Sequence, residues 1–281
     1  MDLPYNFGGL PEEYSSYEKS SIVILPVPFD KTSTWQKGAD KGPDAVIKAS
    51  QNMELYDIET DSEVYKKGIY TGKEITEDDS EKMLLAVKEK VLKFNEEDKF
   101  VVGVGGEHSI TTGFIRAHAE NKDLSVLHLD AHADTRDSYE GNKYSHASVI
   151  ARVKEVAENV VSVGVRSMDS SERDNINSKK MFYAKDIQGP VDWYEKVLDE
   201  LFPDVYITID LDVFDPSIMP STGTPEPGGL DWYSVSGLLK KVARTKNIIG
   251  ADVVELSPSE NKAPDFLAAK LIYKLLSYKY C

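Results

Sequence analysis

The sequence SVLHLDAHAD, at residues 125–134, contains the pattern on which the fold depends. Its first five residues are mostly apolar, and Asp130 follows them at once. Such a short run, bounded by polar residues, is typical of a strand that a parallel sheet buries on both faces. In sheets of this kind, ligands bind beyond the carboxyl ends of the strands. We therefore expect functional residues to follow the points where apolar runs stop.

Five other short apolar runs predict buried strands that are rich in valine and isoleucine. They lie at residues 22–27, 100–104, 160–165, 205–211 and 248–254. Between the runs, apolar residues recur at helical spacing. The stripes are formed by Leu84, Val87, Val91 and Phe94, by Tyr194, Val197 and Leu201, and by Val235, Leu238 and Val242. Strands that alternate with helices predict an α/β fold with a mostly parallel sheet covered on both faces.

The ends of two helices can also be predicted. Asp231 is a candidate N-cap for the third stripe. Pro264 suits the first turn of a final helix that runs through Leu271 and Leu275.

No Pro/Gly/Ser-rich linker interrupts the pattern of strands and helices, and no fixed-period repeat is visible. The sequence therefore predicts one domain over residues 1–281.

Composition limits the classes of function. The 281 residues include 33 basic and 48 acidic side chains, which give a net charge of −15. A field of that sign repels nucleic acid and anionic membranes, and it serves either a small cationic ligand or solubility alone. No run of about 18 apolar residues predicts a membrane span, and no secretory signal is expected, so a cytoplasmic protein is predicted. The single cysteine, Cys281, excludes an internal disulfide.

Potential metal ligands follow two of the predicted strands closely. In VVGVGGEHSI, residues 101–110, His108 comes directly after the glycine pair that ends the strand. In DAHAD, Asp130, His132 and Asp134 occupy alternate positions. Ionised carboxylates this close repel one another unless a cation compensates them. A single histidine after a glycine turn is more often structural, but the DAHAD cluster favours a metal site over a polar turn.

A third segment, VYITIDLDVFDP at residues 205–216, adds two carboxylates. Asp210 and Asp212 are two residues apart, which predicts that both side chains leave one face of the strand, about 6.6 Å apart. Carboxylates in an apolar strand are costly to bury unless they are paired or bind metal. Two histidines and four carboxylates suit two Mn²⁺ ions best, with Fe²⁺, Co²⁺ or Zn²⁺ as alternatives. Two metal ions about 3.5–4 Å apart can activate water at neutral pH.

Three more segments belong to the same predicted edge of the sheet. His146, in KYSHASVIARV, has no place in the ligand pattern and is either a proton carrier or the start of a helix. Glu255 follows the last predicted strand, so its carboxylate should reach the carboxyl edge. The loop STGTPEPGGL, residues 221–230, is rich in glycine and proline and is expected to wall the pocket.

The ordered set of segments resembles the ureohydrolases, the arginase and agmatinase family. GGEHS, DAHAD, SHAS, DLDVFDP, TGTPEPGGL and DVVELSP are similar to that family's sequence blocks and occur in its order, and GADKGPDAVIKAS near the N-terminus is also similar. Each block is weak alone, but the ordered set is highly specific and covers nearly the whole chain. The resemblance implies a three-layer α/β/α sandwich with a sheet of about eight strands, in a homo-oligomer that is a trimer or hexamer.

The resemblance also implies a centre of two Mn²⁺ ions per subunit. One ion would be bound by His108, Asp130, Asp134 and Asp210, and the other by Asp130, His132, Asp210 and Asp212. His146 matches the family's proton-carrying histidine, Glu255 the glutamate that binds the guanidinium, and Thr224 a threonine that lines the pocket. Asp134 would also hold the proton of the nucleophile. Many members have aspartate where Glu107 stands, and because the charge is kept we expect little effect.

Agmatine is the expected substrate, hydrolysed to putrescine and urea in polyamine synthesis. Arginases resemble this chain less, because they have asparagine where it has Arg136, and agmatine is a dication that suits the acidic composition. Asp169 and Glu172 are candidates to bind its distal amine, or are solvated loop acids. Arg136 also supports a rival substrate, a guanidino acid such as 4-guanidinobutyrate, with arginine as a weaker alternative. A non-catalytic metal-binding member of the fold is the alternative from another class.

Overall fold

The computed structural model describes residues 3–120, 122–189 and 192–281, which form a central β-sheet with helices on both sides. The strands described are β1 (Ile22–Val27), β2 (Ile69–Thr71), β3 (Phe100–Gly105), β4 (Ser125–Leu129), β5 (Asn159–Val165), β6 (Met181–Tyr183), β7 (Asp204–Asp210) and β8 (Asn247–Val254). All of their pairings are parallel, and the order across the sheet is β2-β1-β3-β8-β7-β4-β5-β6. The predicted sheet of about eight strands is confirmed.

Helices cover both faces of this sheet. The α-helices described are α1 (Glu12–Ser15), α2 (Gly42–Ser50), α3 (Ser80–Glu96), α4 (Thr111–His118), α5 (Val149–Val153), α6 (Trp193–Glu200), α7 (Trp232–Thr245) and α8 (Ala263–Tyr280). Buried residues of α2, α6, α7 and α8 belong to one hydrophobic core, and those of α3, α4 and α5 to the other. This is the predicted three-layer sandwich. None of these helices is both long and apolar enough to cross a bilayer.

Strand β1 illustrates why the sheet needs a layer on each face. All six of its residues are buried, Ile22 and Ile24 in one core and Val23 and Leu25 in the other. Alternate side chains leave opposite faces of a strand, so a continuous apolar run has to be covered twice. Complete burial of each such side chain contributes roughly 1.5–3 kcal/mol, so both helical layers contribute to folding.

The six predicted strands are confirmed, each within one residue of its predicted ends. The edge strands β2 and β6 are absent from the prediction because each has three residues, of which two are only partly buried. Asp231 caps α7 as predicted, since its carboxylate accepts a hydrogen bond from the N–H of Ser234 at 2.7 Å. The helical assignment of Leu201 is wrong, because α6 ends one residue before it and its backbone is extended.

The strand order places four site segments side by side. Strands β3, β8, β7 and β4 are neighbours at the centre of the sheet, and their carboxyl ends all meet at one edge. The turn after β3 is tight at Gly106, where a Cβ atom would collide with the carbonyl oxygen of Phe29. A residue with a side chain would therefore push the following segment, which carries His108, away from this edge.

Candidate metal centre

The predicted ligands come together at the carboxyl edge of the four central strands. His108 follows β3, Asp130 follows β4, Asp210 ends β7 and Glu255 follows β8. This edge of the sheet adjoins a cavity of about 310 Å³. Ten of the predicted site residues line it: His108, His132, Asp134, Arg136, His146, Asp169, Asp210, Asp212, Thr224 and Glu255. The remaining one, Asp130, is completely buried beside His108 and is not on the cavity wall.

The ligands form two groups that share Asp130. The Nδ1 atom of His108 lies 3.1 Å from Oδ2 of Asp130 and 3.4 Å from one carboxylate oxygen each of Asp134 and Asp210. The Nδ1 atom of His132 lies 2.9 Å from Oδ2 of Asp212 and 3.6 Å from Oδ1 of Asp130. Asp130 therefore presents one oxygen to each imidazole, as expected of a carboxylate between two cations.

Asp212 reaches this site by a different route from the predicted one. Strand β7 ends at Asp210, and the chain then enters a 3₁₀ turn, Leu211–Val213. The prediction that both aspartates share one face of a strand is therefore wrong. The carboxylate of Asp210 accepts the N–H of Asp212 at 2.9 Å, and such a local side-chain bond offers the backbone an alternative to the sheet. The turn carries the carboxylate of Asp212 toward His132.

Charge in the cluster is poorly compensated by protein groups alone. Burial, together with repulsion from Asp212 and Asp130, raises the pKa of Asp210 well above its usual range. Burial also raises the pKa of Asp212 and of Glu255, and the charge of Glu107 adds to the shift of Glu255. Ionised carboxylates crowded in a buried site call for nearby positive charge. A divalent cation in each ligand group would supply it.

The donor atoms also fit metal ions. The Nδ1 atom of His108 is buried and has no hydrogen-bond partner among the described residues, although three carboxylate oxygens surround it. Burial alone would lower the pKa of His108, but its contacts with Asp130, Asp134 and Asp210 raise it well above the usual value. Metal binding requires the neutral imidazole, so a cation would displace this proton. Imidazole and carboxylate ligands together suit Mn²⁺, Fe²⁺, Co²⁺ or Zn²⁺.

A buried network fixes the tautomer of His108. Its Nε2 atom lies 2.8 Å from the hydroxyl of Thr208, and that hydroxyl donates to Asp252 at 2.7 Å. Tyr206 donates to the other oxygen of Asp252, also at 2.7 Å. Because the hydroxyl proton of Thr208 is used, Nε2 of His108 has to be the donor, which leaves Nδ1 as the ligand atom. Sequence reasoning missed Asp252, although a carboxylate inside an apolar run is a signal.

His128 is a second residue that sequence reasoning missed. It is completely buried, and its Nε2 atom lies 2.7 Å from Oδ2 of Asp130. Its Nδ1 atom lies 3.1 Å from the hydroxyl of Ser162. His128, Asp130 and His108 are close enough to hold one ion together. The signal in the sequence is the spacing: His128 precedes Asp130 by two residues, so both side chains project from the same face of the chain.

Glu255 and Asp134 have unusual backbone conformations. Their φ angles are 67° and 51°, in the left-handed region that disfavours residues other than glycine. Such strain concentrates at functional sites, where the surrounding structure holds it in place. His146 lies at the start of a 3₁₀ turn, His146–Ser148, that leads into α5, so it both begins a helical segment and lines the cavity.

The residues predicted to contact the part of the substrate beyond its guanidinium all line the cavity. Some of them already contact other protein groups, and others are exposed. The guanidinium of Arg136 lies over the ring of Tyr139, 4.8 Å from its centroid, and 3.9 Å from the carboxylate of Glu172. Glu172 is buried and accepts the N–H of Thr135, so its prediction as a solvated acid is wrong. Asp169 is exposed and uses one oxygen to cap the 3₁₀ turn after it. Thr224 is exposed on the loop at 221–230.

Arg166 connects that loop to the metal ligands. Its guanidinium donates to the carbonyl oxygens of Asp212 and Glu226, both at 2.7 Å, and to further carbonyls nearby. Within the ranges that the structure describes, no carboxylate forms an ion pair with it. The arginine thus donates several hydrogen bonds to backbone carbonyls, and these bonds hold the loop in place relative to the turn of Asp212.

Comparison with known proteins agrees with this geometry. The model of the arginase family matches residues 20–277. The N(1)-aminopropylagmatine ureohydrolase of Synechocystis is 35% identical over 297 residues, which cover 99% of this chain and 97% of that protein. The agmatinase of Bacillus cereus is 34% identical over 266 residues, which cover 92% and 91%. The crystal structure of agmatine ureohydrolase from Thermoplasma volcanium superposes with a TM-score of 0.89 at 31% identity, covering 98% of this chain and 94% of that one.

These similarities extend over nearly the whole chain, and they confirm the resemblance given by the ordered sequence blocks. Enzymes of this family depend on a binuclear metal centre, and the two His/Asp groups that share Asp130 are suited to hold one. The chain belongs to the arginase family and is a ureohydrolase, a hydrolase of guanidino C–N bonds.

Proposed function

We propose that this ureohydrolase converts agmatine to putrescine and urea, as a step in polyamine synthesis. The observation that carries the proposal is the position of Glu255, whose carboxylate shares one cavity with both His/Asp groups. A carboxylate is the natural partner of a guanidinium, because charge-assisted hydrogen bonds form between the two groups. Asp169 at the cavity and the net charge of −15 suit the second cation of agmatine. The similarity to agmatinases such as that of Bacillus cereus supports the same substrate.

N(1)-aminopropylagmatine is the second candidate. The relatives in Synechocystis and Thermus thermophilus, at 35% and 36% identity, are named for this substrate. It has the same guanidino group with a longer cationic chain. Trp35 lines the cavity and is 81% exposed, so an aromatic face is available where a longer amine would leave the pocket. Such a face attracts an ammonium group.

For the metals, we propose the ligand sets implied by the family resemblance, with two Mn²⁺ ions per subunit. His108, Asp130, Asp134 and Asp210 would hold one ion, and Asp130, His132, Asp210 and Asp212 the other. The unsatisfied Nδ1 atom of His108 and the shared position of Asp130 support these sets. When bound, paired divalent cations would lower the pKa of a water molecule and so supply a nucleophile near neutral pH.

The chain's own residues then bind the substrate and move protons. Glu255 uses Oε1 to accept the N–H of His108, and Oε2 is left to bind the guanidinium. Asp134 would accept a hydrogen bond from the nucleophile, since one of its carboxylate oxygens lies within the ligand group of His108. His146 would take up a proton from water and pass it to the leaving amine, because it lines the same cavity without belonging to either ligand group. Thr224 and Asp169 would contact the rest of agmatine, whereas Arg136 would contact the carboxylate of a guanidino acid.

We further propose that residues 1–281 act as one domain, since both hydrophobic cores pack on the same sheet. A homo-trimer or homo-hexamer and a cytoplasmic location follow the family resemblance and the composition, and no nucleic acid or membrane partner is proposed.

Urea release tests the substrate. The Mn²⁺-loaded full chain is assayed with agmatine, N(1)-aminopropylagmatine, arginine and 4-guanidinobutyrate in parallel. The highest kcat/KM with agmatine supports the first proposal, and a value at least tenfold higher with N(1)-aminopropylagmatine supports the second. A preference for 4-guanidinobutyrate would contradict both and assign Arg136 to a substrate carboxylate. No urea from any of the four, with two bound metals verified, would overturn both proposed substrates.

A further inference from the structure

Glu107 is a completely buried carboxylate that binds the loop between β1 and α2. Its Oε2 atom accepts the backbone N–H groups of Thr32 at 2.6 Å and Ser33 at 3.1 Å. Its Oε1 atom accepts the hydroxyls of Thr32 and Ser109, both at 2.6 Å. Both oxygens are therefore acceptors, and the hydroxyl proton of Thr32 is committed to Glu107.

The same hydroxyl contacts His146. Oγ1 of Thr32 lies 3.2 Å from Nδ1 of His146 and 3.0 Å from its backbone nitrogen. A hydroxyl has one proton to donate and two lone pairs that accept. Because the proton goes to Glu107, both lone pairs are left for His146, one for its backbone N–H and one for a proton on Nδ1. The donors and acceptors then match without an unsatisfied group.

We propose that Glu107, acting through Thr32, holds neutral His146 in the tautomer with its proton on Nδ1, so that Nε2 is the atom that exchanges protons with the cavity. In the part of the chain that the structure describes, Nε2 has no hydrogen-bond partner, and the ring lines the cavity. Tyr139 contacts the ring edge-on, with centroids 5.8 Å apart, and limits its rotation. Glu107 and Thr32 are positioning residues, and their effect on turnover rests on the proposed role of His146.

The tautomer can be measured without any substrate. The chain has five histidines, so the ¹⁵N-histidine spectrum of the full-length protein, loaded with diamagnetic Zn²⁺, contains five ring systems. A His146→Asn variant identifies the ring of His146. We expect the wild-type ring to show a protonated Nδ1 and an unprotonated Nε2. A proton on Nε2 of neutral His146 would overturn the proposal.

Two variants test the route through Thr32. Thr32→Val keeps the shape and removes the hydroxyl, so the preference for Nδ1–H should be lost. In Glu107→Gln, the backbone donors at Oε2 hold the amide oxygen there, so the amide NH₂ faces Thr32. Thr32 then donates to His146, and the tautomer should reverse to Nε2–H. Thr32→Ser should retain the wild-type tautomer, and so should Ser109→Ala, which removes a donor to Glu107 that does not contact His146. An unchanged tautomer in both Thr32→Val and Glu107→Gln would contradict the proposal.

Kinetics connects the tautomer to turnover. General acid–base catalysis contributes roughly 10²–10⁴-fold, so loss of the correct tautomer in Thr32→Val should lower kcat about tenfold to a hundredfold. KM and bound metal should stay within about twofold, and Thr32→Ser should restore kcat. A changed tautomer with normal kcat would overturn the link to catalysis. If the wild type released no urea from any substrate, the proposed function would fail, while the spectrum would still decide the role of Glu107.

Discussion

The carboxylate of Glu255 accepts a hydrogen bond from the backbone N–H of His108 at 2.6 Å. This bond connects the ends of β8 and β3, neighbouring strands whose sequences are almost 150 residues apart. The backbone N–H of Glu255 in turn donates to the carbonyl of Gly106 at 2.8 Å. The two bonds hold the left-handed conformation of Glu255, and they leave one carboxylate oxygen for a ligand.

Glu255→Gln should separate the two functions of this side chain. The amide oxygen can still accept the N–H of His108, so metal content and Tm should stay close to wild type. Loss of the charge toward the guanidinium should reduce kcat/KM about thirtyfold or more, since an unpaired buried charge partner costs about 2–5 kcal/mol. Steady-state kinetics and metal analysis check this, with the exposed Glu260→Gln as control. A kcat/KM within threefold of wild type would contradict the assignment of Glu255.

Metal removal should destabilise the protein. The site crowds carboxylates whose pKa values burial and mutual repulsion raise, and a bound cation relieves that repulsion. A ligand at a hundred times its Kd stabilises by about 2.7 kcal/mol, which predicts a fall in Tm of roughly 5–10 °C after treatment with chelator. Calorimetry with and without Mn²⁺ measures the shift. Asp210→Asn should respond much less, and an equal shift in that variant would place the bound metal elsewhere.

Stability should fall in mild acid because of His118, a buried residue of α4 that does not line the cavity. Burial, with a smaller effect from the charge of Lys122, lowers its pKa from 6.5 to about 4. The unfolded chain takes up this proton below pH 6.5 and the folded chain does not, so stability is lost as the pH falls through that window. Between pH 6.5 and about pH 5 the contribution is about 2 kcal/mol. Urea unfolding at both pH values measures the loss of the free energy of unfolding, which should be correspondingly smaller in His118→Gln than in the wild type. Equal losses in the two proteins would show that His118 is not the group responsible.

Arg166→Lys should loosen the loop at 221–230 and the turn of Asp212. A lysine ammonium cannot reach the several carbonyl oxygens that the guanidinium binds. With about 1 kcal/mol for each hydrogen bond lost, the free energy of unfolding should fall by roughly 2–3 kcal/mol. Metal affinity should fall as well, because Asp212 lies in the released turn. Arg244→Lys, at an exposed position of α7, is the matched control, and equal unfolding midpoints for the two variants would show that these bonds contribute little.

Arg136→Gln should change which substrates are preferred. An arginine that lines the cavity repels a cationic chain and attracts a carboxylate. A partly exposed charge pair contributes about 0.2–1 kcal/mol, so the ratio of kcat/KM for agmatine over 4-guanidinobutyrate should rise roughly twofold to fivefold. Competition assays with both substrates measure the ratio directly. A ratio that falls would mean that Arg136 assists binding of the cationic substrate instead.

Features determined by local pattern could be predicted from the sequence. The six long strands are continuous apolar runs, and the ligand-bearing segments follow them directly, so Asp130 and His132 could be placed at the sheet edge without a structure. Strands β2 and β6 could not be predicted, because a three-residue edge strand depends on the neighbour with which it pairs. The 3₁₀ turn that contains Asp212 could not be predicted either, since one side-chain hydrogen bond decides between a strand and a turn there.

The residues that hydrogen-bond to the site residues are harder to predict, because the order of the strands in the sheet cannot be derived from short stretches of sequence. Thr208, on β7, contacts His108, which is 100 residues away in the sequence and follows β3. The contact is possible because only one strand, β8, lies between β3 and β7. Glu107 is adjacent to a ligand, and the sequence alone predicts little effect from its departure from the family pattern. Its importance depends on Thr32, which is 75 residues away. Distances of this kind follow from the fold and not from any motif.

The place of β8 has a further consequence for protein synthesis. This strand is the last to be made, yet it lies between β3 and β7 in the middle of the sheet. Until residue 254 has left the ribosome, the nascent chain holds strands on either side of a gap, with unpaired backbone on β3 and β7. Exposed strand edges of this kind are prone to wrong pairing, so the chain is expected to need protection during translation. It is also expected to gain activity only when β8, and Glu255 directly after it, have been inserted.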